Sequence, residues 1–431
     1  MKTPELLAPA GTLNNLRYAI AYGADAVYAG MPRYSLRVRN NDFNHFENLS
    51  TGIEHAHAAH KQFFLACNVL PHNAKVKTFL KDIETAIALK PDALIMADPG
   101  LIMQVRERWP EIAVHLSVQA NTVNFASVKF WQALGLKRVI LSRELSLDEI
   151  AEIRQECPDM ELEVFVHGAL CIAYSGRCLL SGYFNHRDAN QGSCTNSCRW
   201  EYDVKKADVD ITGDVVVAGK HKDITNSYLL EESQRPGEFM PIEEDEHGTY
   251  IMNSKDLRAV EHVERLVKLG VDSLKIEGRT KSHYYVARST QIYRRAIDDA
   301  VAGRTFDPSL LGALENLANR GYTDGFFQRH HTHEYQNYID SHSRSLQQRF
   351  VGEVVGFDNG MVEVEAKNKF AVGDEIELIL PSSNRTFVLE HIEDVKGRPM
   401  QEVPGGGYRI RIPLEDGNYE MGLLARNERQ T

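Results

Sequence analysis

Four of the six cysteines lie within residues 163–200. Cys171 and Cys178 have six residues between them, Cys194 and Cys198 have three, and fifteen residues separate the two pairs. Glycines between the cysteines permit tight turns, so the four thiols can converge on one site. The sequence shows no secretory features, and converging cysteines in such a chain indicate a metal or iron–sulfur centre before they indicate disulfides.

The spacing of these cysteines leaves more than one kind of centre open. Structural zinc sites commonly use two C-x(2–4)-C pairs, and only the pair Cys194 and Cys198 fits that pattern. Iron–sulfur clusters accept more irregular spacing, which favours a 4Fe-4S cluster on Cys171, Cys178, Cys194 and Cys198. Zinc is the alternative, and ordinary buried thiols are a third interpretation. We expect the remaining cysteines, Cys67 and Cys157, to be packing residues.

Eight short apolar runs predict the scaffold that positions this chemistry. Helical patterns separate most of them, for example after Thr12 and after Ser146, which forms a capping-box pattern with Glu149. Regular alternation predicts an α/β protein with a parallel sheet, and eight units favour a TIM-like (β/α)8 barrel over a doubly wound sheet. No G-x-G-x-x-G follows the first run. The runs are Glu5–Pro9, 26–29, 63–69, 93–97, 114–118, 138–142, 161–166 and 273–277.

In such a barrel the functional residues follow the carboxyl ends of the strands. The cysteine segment begins after the seventh predicted strand, so we expect the metal centre at the catalytic face. A satisfied hydrogen bond at the rim is the alternative for any single polar residue, and it is their concentration that argues for a site. The polar residues at these ends are Arg33, Arg37, Arg39, Asn68, Asp98, Gln119, Asn121, Arg143, Glu144, His167, Glu277 and Arg279.

The charge distribution limits where a polyanion could bind. The chain has 49 Lys and Arg against 60 Asp and Glu, a net charge of −11, so an RNA site must be a local patch. Positive charge interleaved with tyrosines between residues 275 and 295 predicts such a patch. The alternative is a helix whose tyrosines face the core. The predicted RNA-binding residues are Lys281, Arg288, Arg294, Arg295, Tyr284 and Tyr285.

Pattern changes along the chain predict two domains. Residues 1–340 form the barrel domain, with the cysteine segment and a long aperiodic insertion at 203–247. Lys255–Leu269 is predicted as one amphipathic helix. Residues 348–431 change to short alternating strands and predict a small all-β, barrel-like domain. Residues 349–431 carry ten Lys and Arg against fifteen Asp and Glu, which makes that domain an unpromising RNA-binding module.

Several stretches resemble the bacterial family of collagenase-like peptidases. Its signature is matched by Glu163-Val-Phe165, Gly168-Ala-Leu-Cys171 and Gly176-Arg-Cys178-Leu-Leu-Ser181. PELLAPAG, DAVYAG, PRYSLRVRN, LSVQAN, VILSREL, RWEY, TYIMNSKDLRA and SLKIEGR resemble the branch of that family that hydroxylates tRNA. The likeness covers almost the whole chain and is weakest at 203–240 and in the last ~80 residues.

The resemblance implies a function that the residues alone do not. It implies formation of 5-hydroxyuridine at the wobble position of tRNA, with prephenate as co-substrate and a 4Fe-4S cluster on the four cysteines. Two carboxylates on prephenate call for cationic partners, for which Arg37, Arg39, Arg143 and Arg279 are candidates beside Asn121. His167, Arg143 and Glu144 are the candidate catalytic residues.

Two other functions remain open at this point. One is the peptidase activity that the family's name implies, although no H-E-x-x-H helix, G-x-S-x-G elbow or phosphate loop is present in the sequence. The other is a non-catalytic metal-bound RNA-binding protein. Partners that transfer electrons or assemble the cluster are compatible with the cluster prediction. Without a signal peptide or an apolar stretch of about 18 residues, we expect a cytoplasmic protein that does not contact the membrane.

Overall fold

The computed structural model of the chain describes residues 2–36, 41–170, 174, 255–319, 321–328 and 348–428, together with six short strands between Ala207 and Thr249. The strands up to residue 323 are β1 (Glu5–Pro9), β2 (Ala26–Gly30), β3 (Gln62–Cys67), β4 (Ala93–Met96), β5 (Ala113–Leu116), β6 (Arg138–Ile140), β7 (Glu161–Ala169), β8 (Ala207–Val209), β9 (Val215–Val217), β10 (Tyr228–Glu231), β11 (Phe239–Ile242), β12 (Glu244–Asp245), β13 (Gly248–Thr249), β14 (Asp256–Arg258), β15 (Ser273–Ile276) and β16 (Tyr322–Thr323).

Eight of these strands close into a parallel barrel, as the sequence predicts. β1 to β7 pair in chain order, and β15 pairs in parallel with both β7 and β1, which closes the sheet. All eight predicted apolar runs are strands of this barrel. The strands are almost continuously buried because helices cover their outer faces and side chains fill the interior.

The helices follow the strands in the alternation that the pattern predicts. Thr12 caps the first helix by accepting from Asn15 N, and Ser146 and Glu149 form the predicted capping box. Asp98 accepts from Leu101 N at 2.9 Å and so caps a helix. The helices are α1 (Leu13–Ala21), α2 (Phe46–Ala58), α3 (Asn73–Ala88), α4 (Pro99–Arg108), α5 (Phe125–Ala133), α6 (Leu147–Glu156), α7 (Val263–Leu269), α8 (His283–Val301) and α9 (Ser309–Glu315).

The prediction of one helix over Lys255–Leu269 is wrong in its first half. Asp256–Arg258 is β14, which pairs antiparallel with the end of β7 and in parallel with β16. The α-helix begins at Val263, after a 3-10 turn. Pairing with the end of β7 outweighs the helical pattern, because strand preference depends on tertiary partners.

The carboxyl-terminal part is all-β, as predicted, and its sheets are antiparallel. Eight strands form one sheet, and a fifteen-residue buried cluster makes a second hydrophobic core. The strands are β17 (Gln348–Asp358), β18 (Met361–Ala366), β19 (Phe370–Ala371), β20 (Glu375–Ile379), β21 (Asn384–Val388), β22 (Ile392–Asp394), β23 (Pro399–Met400), β24 (Glu402–Val403), β25 (Arg409–Pro413) and β26 (Leu423–Asn427).

Helices α1 and α8 connect the barrel to this β domain. The Tyr22 hydroxyl lies 2.9 Å from the carbonyl oxygens of both Ile379 and Met421. Arg288 of α8 forms an ion pair with Glu377 at 2.8 Å, and both side chains are largely buried. Ile379 also belongs to the barrel's hydrophobic cluster, so the contact is apolar as well as polar. Within the described residues, none of the helices is long and apolar enough to cross a membrane.

Candidate functional site at the barrel mouth

Arg143 lies at the mouth of the barrel, which is the end formed by the carboxyl ends of its strands, as the sequence predicts. It follows β6, and its Nη2 donates to Glu277 Oε2 at 3.1 Å. Its guanidinium carbon lies 3.7 Å from the centroid of the Phe165 ring, in cation–π contact. Arg143 is 11% exposed and Glu277 is 19% exposed, so both side chains keep some access to solvent. The pair is therefore partly desolvated and held in one orientation.

Arg279 approaches the mouth from the end of β15. It is buried, its Nη1 donates to Ser35 Oγ at 2.6 Å, and its guanidinium carbon lies 5.6 Å from the Tyr28 ring centroid. Gly30, at the end of β2, makes this approach possible. A Cβ at that position would lie 2.8 Å from Arg279 Nη1 and 2.6 Å from Ser35 Oγ. The glycine thus lets the guanidinium reach the second strand.

Lys275 lies in the barrel interior, close to the rings of both Tyr28 and Phe165. Lys275 Nζ is 4.3 Å from the Tyr28 ring centroid and 5.3 Å from that of Phe165, and it donates to Glu163 Oε1 at 2.8 Å. Burial lowers the pKa of Lys275 below its ordinary value, although Glu163 opposes this. Burial alone would raise the pKa of Glu163, but Lys275 and Arg138 together hold it below its ordinary value.

Lys275 and Glu163 belong to a column of paired charges that continues to the opposite end of the barrel. Arg138 Nη1 lies 3.0 Å from Glu163 and 2.7 Å from Glu5, which begins β1. Desolvation opposes protonation of Arg138, but its carboxylate neighbours raise its pKa above the ordinary value. Buried charges are tolerated only when they are paired and hydrogen-bonded, and this column meets that condition. The column therefore holds its charged side chains in fixed positions below the mouth.

His167 lies near the end of β7 in a cage of three tyrosine rings. The ring centroids of Tyr285, Tyr293 and Tyr322 lie 5.4–5.6 Å from that of the imidazole, and Nδ1 is 3.4 Å from the Tyr293 hydroxyl oxygen. Nε2 has no hydrogen-bond partner among the described residues. Burial lowers the pKa of His167 to about 3, so the imidazole is neutral near pH 7. Its role as a proton donor or acceptor stays a prediction.

Glu144 and Asn121 occupy loops on the same face. Glu144 accepts from the Ser142 hydroxyl, and Ser142 N donates to the Thr122 carbonyl at 3.2 Å, which joins the loops after β5 and β6. Asn121 has a left-handed backbone with φ of 51°, and its side-chain nitrogen donates to the Gln119 carbonyl at 3.0 Å. The structure thus places both residues beside the loop that carries Arg143, and their predicted substrate contacts stay predictions.

The predicted metal ligands Cys171, Cys178, Cys194 and Cys198 lie outside the described residues, as do Arg37 and Arg39. β7 ends at Ala169, two residues before Cys171. Cys67 and Cys157 are buried free thiols. Burial raises the pKa of Cys67 above its ordinary value, which disfavours the thiolate that a metal requires.

One group of potential metal ligands occurs within the described residues. His262 Nε2 lies 3.3 Å from Asp324 Oδ2 and 3.8 Å from Glu261 Oε1. The imidazole ring packs against Phe327, and the side-chain nitrogen of Gln328 lies 3.5 Å from Nε2. A buried histidine paired with a carboxylate makes the same contacts, and such a pair needs no metal ion.

The structure buries three of the six predicted RNA-binding residues, and the role of the other three stays a prediction. Tyr284, Tyr285 and Arg288 are buried in α8, which packs between the barrel and the β domain. Tyr284 donates to Gln348 at 3.0 Å, and Tyr285 donates to the Glu277 carbonyl at 3.2 Å, so neither ring can stack on a base. A helix of this amphipathicity buries its tyrosines because each ring removes a large apolar area from water.

Of the other three residues, Arg295 is exposed, and Arg294 and Lys281 are partly accessible. Arg294 forms ion pairs with Asp25 at 2.9 Å and Asp298 at 2.8 Å. Arg295 is 60% exposed, and its Nη2 lies 2.7 Å from Asp307 Oδ2. Lys281 is half-buried, with Nζ 5.1 Å from the Tyr285 ring centroid. Carboxylates beside the two arginines reduce the positive field that a phosphate would meet.

Sequence analysis missed the residues that support the mouth from below. Phe165, Tyr28 and Lys275 lie in apolar strands and resemble ordinary core positions. A signal was present, because Glu163 and Lys275 are charged residues within otherwise apolar runs, and buried charges are rarely found without partners.

Residues 11–337 match the family described as peptidase family U32, and residues 347–426 match its C-terminal domain. A protein of Escherichia coli K12 named tRNA hydroxylation protein P is 60% identical, over 99% of this chain and 97% of its own length. The protein of that name in Haemophilus influenzae is 57% identical over 98% and 96%. A Porphyromonas gingivalis protein named collagenase is 28% identical over 96% and 95%.

Proposed function

This chain belongs to peptidase family U32, and we propose that its activity is the hydroxylation of uridine in tRNA. The observation that carries the proposal is the 60% identity, over almost the full length of both chains, to a relative named tRNA hydroxylation protein P. Near-complete coverage means that the barrel and the β domain are both shared. The relative named collagenase is much more distant, at 28% identity, and we do not propose peptidase activity.

The finer form of the proposal is that the protein forms 5-hydroxyuridine at the wobble position, with prephenate as co-substrate. Prephenate carries two carboxylates, and guanidinium groups bind carboxylates with charge-assisted and often bidentate hydrogen bonds. Arg143 and Arg279 both lie at the mouth, each against an aromatic ring. Their positions support a dianion site there. Glu277 Oε2, 3.1 Å from Arg143, is the group that an incoming carboxylate would have to replace or bridge.

We propose in addition that Cys171, Cys178, Cys194 and Cys198 hold a 4Fe-4S cluster beside the mouth. Four thiols form a donor set that fits such a cluster, and the segment that carries them begins two residues after the carboxyl end of β7. Cluster chemistry would supply one-electron transfer near the bound substrate. The chain's own contributions would be binding by Arg143 and Arg279, and the neutral His167 imidazole at the base of the cysteine segment.

The activity is tested in cells from which redundant tRNA hydroxylases have been removed. We expect expression of this protein to restore 5-hydroxyuridine in digested tRNA, measured by mass spectrometry. The same strain with its prephenate synthesis blocked should show none until prephenate is supplied. Absence of 5-hydroxyuridine despite soluble, full-length protein would reject the proposal, and collagen hydrolysis by the purified protein would favour a peptidase.

The cluster is tested by iron and sulfide analysis after anaerobic purification. Cys194→Ser should lose most of the iron and the visible absorption, whereas Cys67→Ser should retain them, because Cys67 is a buried packing residue. Stoichiometric zinc in the anaerobic wild-type protein would favour the zinc site instead. Iron lost from Cys67→Ser and kept by Cys194→Ser would show that the ligand assignment is wrong.

A further inference from the structure

Burial of Tyr284, Tyr285 and Arg288 in α8 leaves the question of where tRNA would dock. The chain is acidic overall, so the surface must be a local concentration of positive charge. It must also border the barrel mouth, since a base that reacts there is joined to the phosphates on either side of it. Two neighbouring segments of the described chain meet both conditions.

The first segment is the beginning of α3 and the residues before it. Residues 70–81 contain Lys75, Lys77 and Lys81 and no Asp or Glu. Lys77 and Lys81 are exposed and lie one helical turn apart, on one side of the helix. Neither forms an ion pair with a described carboxylate. The helix begins at Asn73, so the positive end of its dipole lies at the turn that contains Lys75.

The second segment is residues 31–36, which follow β2 directly and also lack Asp and Glu. It contains Arg33, which is 60% exposed. The carboxylate that pairs with Arg33 within the described residues is Asp82, at 2.9 Å, and Asp82 also accepts from the Tyr34 hydroxyl at 2.8 Å. Residues 31–36 and 70–82 together contain four Lys and Arg and one Asp, so the two segments combined are net positive.

Hydrogen bonds join the two segments into one surface. The Tyr34 hydroxyl lies 2.8 Å from Thr78 Oγ1 and 3.4 Å from the Lys75 carbonyl oxygen, and Val69 N donates to the Tyr34 carbonyl at 3.1 Å. Buried Tyr34 therefore fixes the loop against α3. The resulting basic rim consists of Arg33, Lys75, Lys77 and Lys81.

The basic rim is continuous with the mouth. Ser35, two residues after Arg33, accepts from Arg279 Nη1 at 2.6 Å. Asn68 lies between β3 and α3; its oxygen accepts from Leu36 N at 3.2 Å, and its nitrogen donates to Gln119 Oε1 at 3.1 Å. The loop that carries Arg33 and the segment that leads into α3 are therefore both hydrogen-bonded to residues at the mouth.

We propose that the basic rim binds the tRNA backbone next to the base presented to the mouth. This inference rests on the proposed function and names the surface through which its substrate binds. Lysines one turn apart supply point charges to successive phosphates without reading sequence. An acidic protein partner is the competing occupant of such a surface, and the experiment distinguishes the two.

The test is binding of unmodified, full-length tRNA to the whole protein as a function of salt. The variant is Lys77→Gln with Lys81→Gln, and the matched control is Lys369→Gln with Lys396→Gln, which removes two charges from the β domain. We expect the rim variant to bind about tenfold more weakly at low salt. The slope of log affinity against log salt should fall by about 0.7–0.9 for each phosphate that the variant no longer neutralises. The control pair should bind as the wild type does.

The outcomes separate this inference from the proposed function, because binding is measured without turnover. Unchanged tRNA affinity and slope in the rim variant, or an equal loss in the control pair, would overturn the inference. Unchanged tRNA binding combined with reduced 5-hydroxyuridine in cells would assign the rim to a protein partner and overturn it too. If the wild type makes no 5-hydroxyuridine but the rim variant still binds tRNA weakly, the proposed activity fails and the binding surface stands.

Discussion

Phe165 and Tyr28 each contact two cations, and these contacts organise the mouth at the scale of single residues. Arg143 and Lys275 approach Phe165, while Arg279 and Lys275 approach Tyr28. A desolvated cation–π contact contributes about 2 kcal/mol, and one at an exposed site about 0.5–1 kcal/mol. The rings therefore hold three like charges near one another, while Glu163 and Glu277 supply the opposing charge. The cations are thus held in fixed positions, and an anion that binds Arg143 has to replace or bridge Glu277.

His167 makes a prediction that belongs to the same scale. Its pKa is about 3 in the folded chain and about 6.5 in an unfolded one, so below about pH 6.5 the unfolded state binds the extra proton. Stability from this residue is therefore complete above pH 6.5 and falls as the pH is lowered. The loss is about 1.4 kcal/mol for each pH unit between about 6 and 4.

The measurement is urea unfolding of wild type and His167→Leu at pH 7 and at pH 5. We expect the free energy of unfolding of the variant to depend less on pH, with the difference between the two proteins changing by about 2 kcal/mol over that interval. Other acidic groups titrate in both proteins and cancel in the difference. A difference that is the same at both pH values would show that the imidazole is accessible to protons in the folded state.

At the scale of elements, the strands of the barrel carry a column of paired charges, in which Lys275 and Arg138 bind the carboxylates of Glu163, Glu5 and Glu161. Removing Lys275 leaves Glu163 with Arg138 alone, and Arg138 also serves Glu5 and Glu161. We expect Lys275→Met to lower the free energy of unfolding by about 3–5 kcal/mol, because breaking a buried pair leaves a charge uncompensated.

The matched double variant, Lys275→Met with Glu163→Leu, removes both charges. It should be more stable than the sum of the two single variants predicts, because each single variant leaves the other charge buried. Denaturant unfolding of the four proteins of this cycle measures the coupling. Additive effects would mean that solvent already reaches the pair.

Helix α8 makes a second prediction at this scale. Arg288 is buried and binds Glu377 of the β domain, so its replacement affects domain contact rather than RNA. We expect Arg288→Met to destabilise the protein by about 3 kcal/mol, as loss of a buried ion-pair partner does. The salt dependence of tRNA binding should stay that of the wild type. Calorimetry and the binding titration together check this, and a reduced salt slope would return α8 to the RNA-binding surface.

For the whole molecule, the sequence predicts the architecture better than the surfaces. The signals that identify the barrel and the β domain are local. They are the apolar strand runs, the helix caps at Thr12 and Ser146, and the change to short strands after residue 348. Which side of α8 is covered is not a local property. Its arginines and tyrosines suit RNA in the sequence, but Arg288 and Tyr284 contact the β domain, which begins at residue 348, and Tyr285 donates to the barrel.

The candidate site divides in the same way. Arg143 and Arg279 are predictable because polar residues that follow barrel strands lie at one face. Phe165, Tyr28 and Lys275 are not, because their importance depends on contacts between strands far apart in sequence. The basic rim escaped prediction for a similar reason, since two segments of modest separate charge combine only when Tyr34 binds α3.

We propose that tRNA is hydroxylated at the barrel mouth, with Arg143 at its edge. The most direct measurement is the 5-hydroxyuridine content of tRNA from hydroxylase-free cells that express wild type, Arg143→Ala or the exposed control Arg265→Ala at equal levels. We expect wild-type content for Arg265→Ala and a loss of at least about tenfold for Arg143→Ala, because a charge-assisted partner of the anion is gone. Full content in cells expressing Arg143→Ala would contradict it.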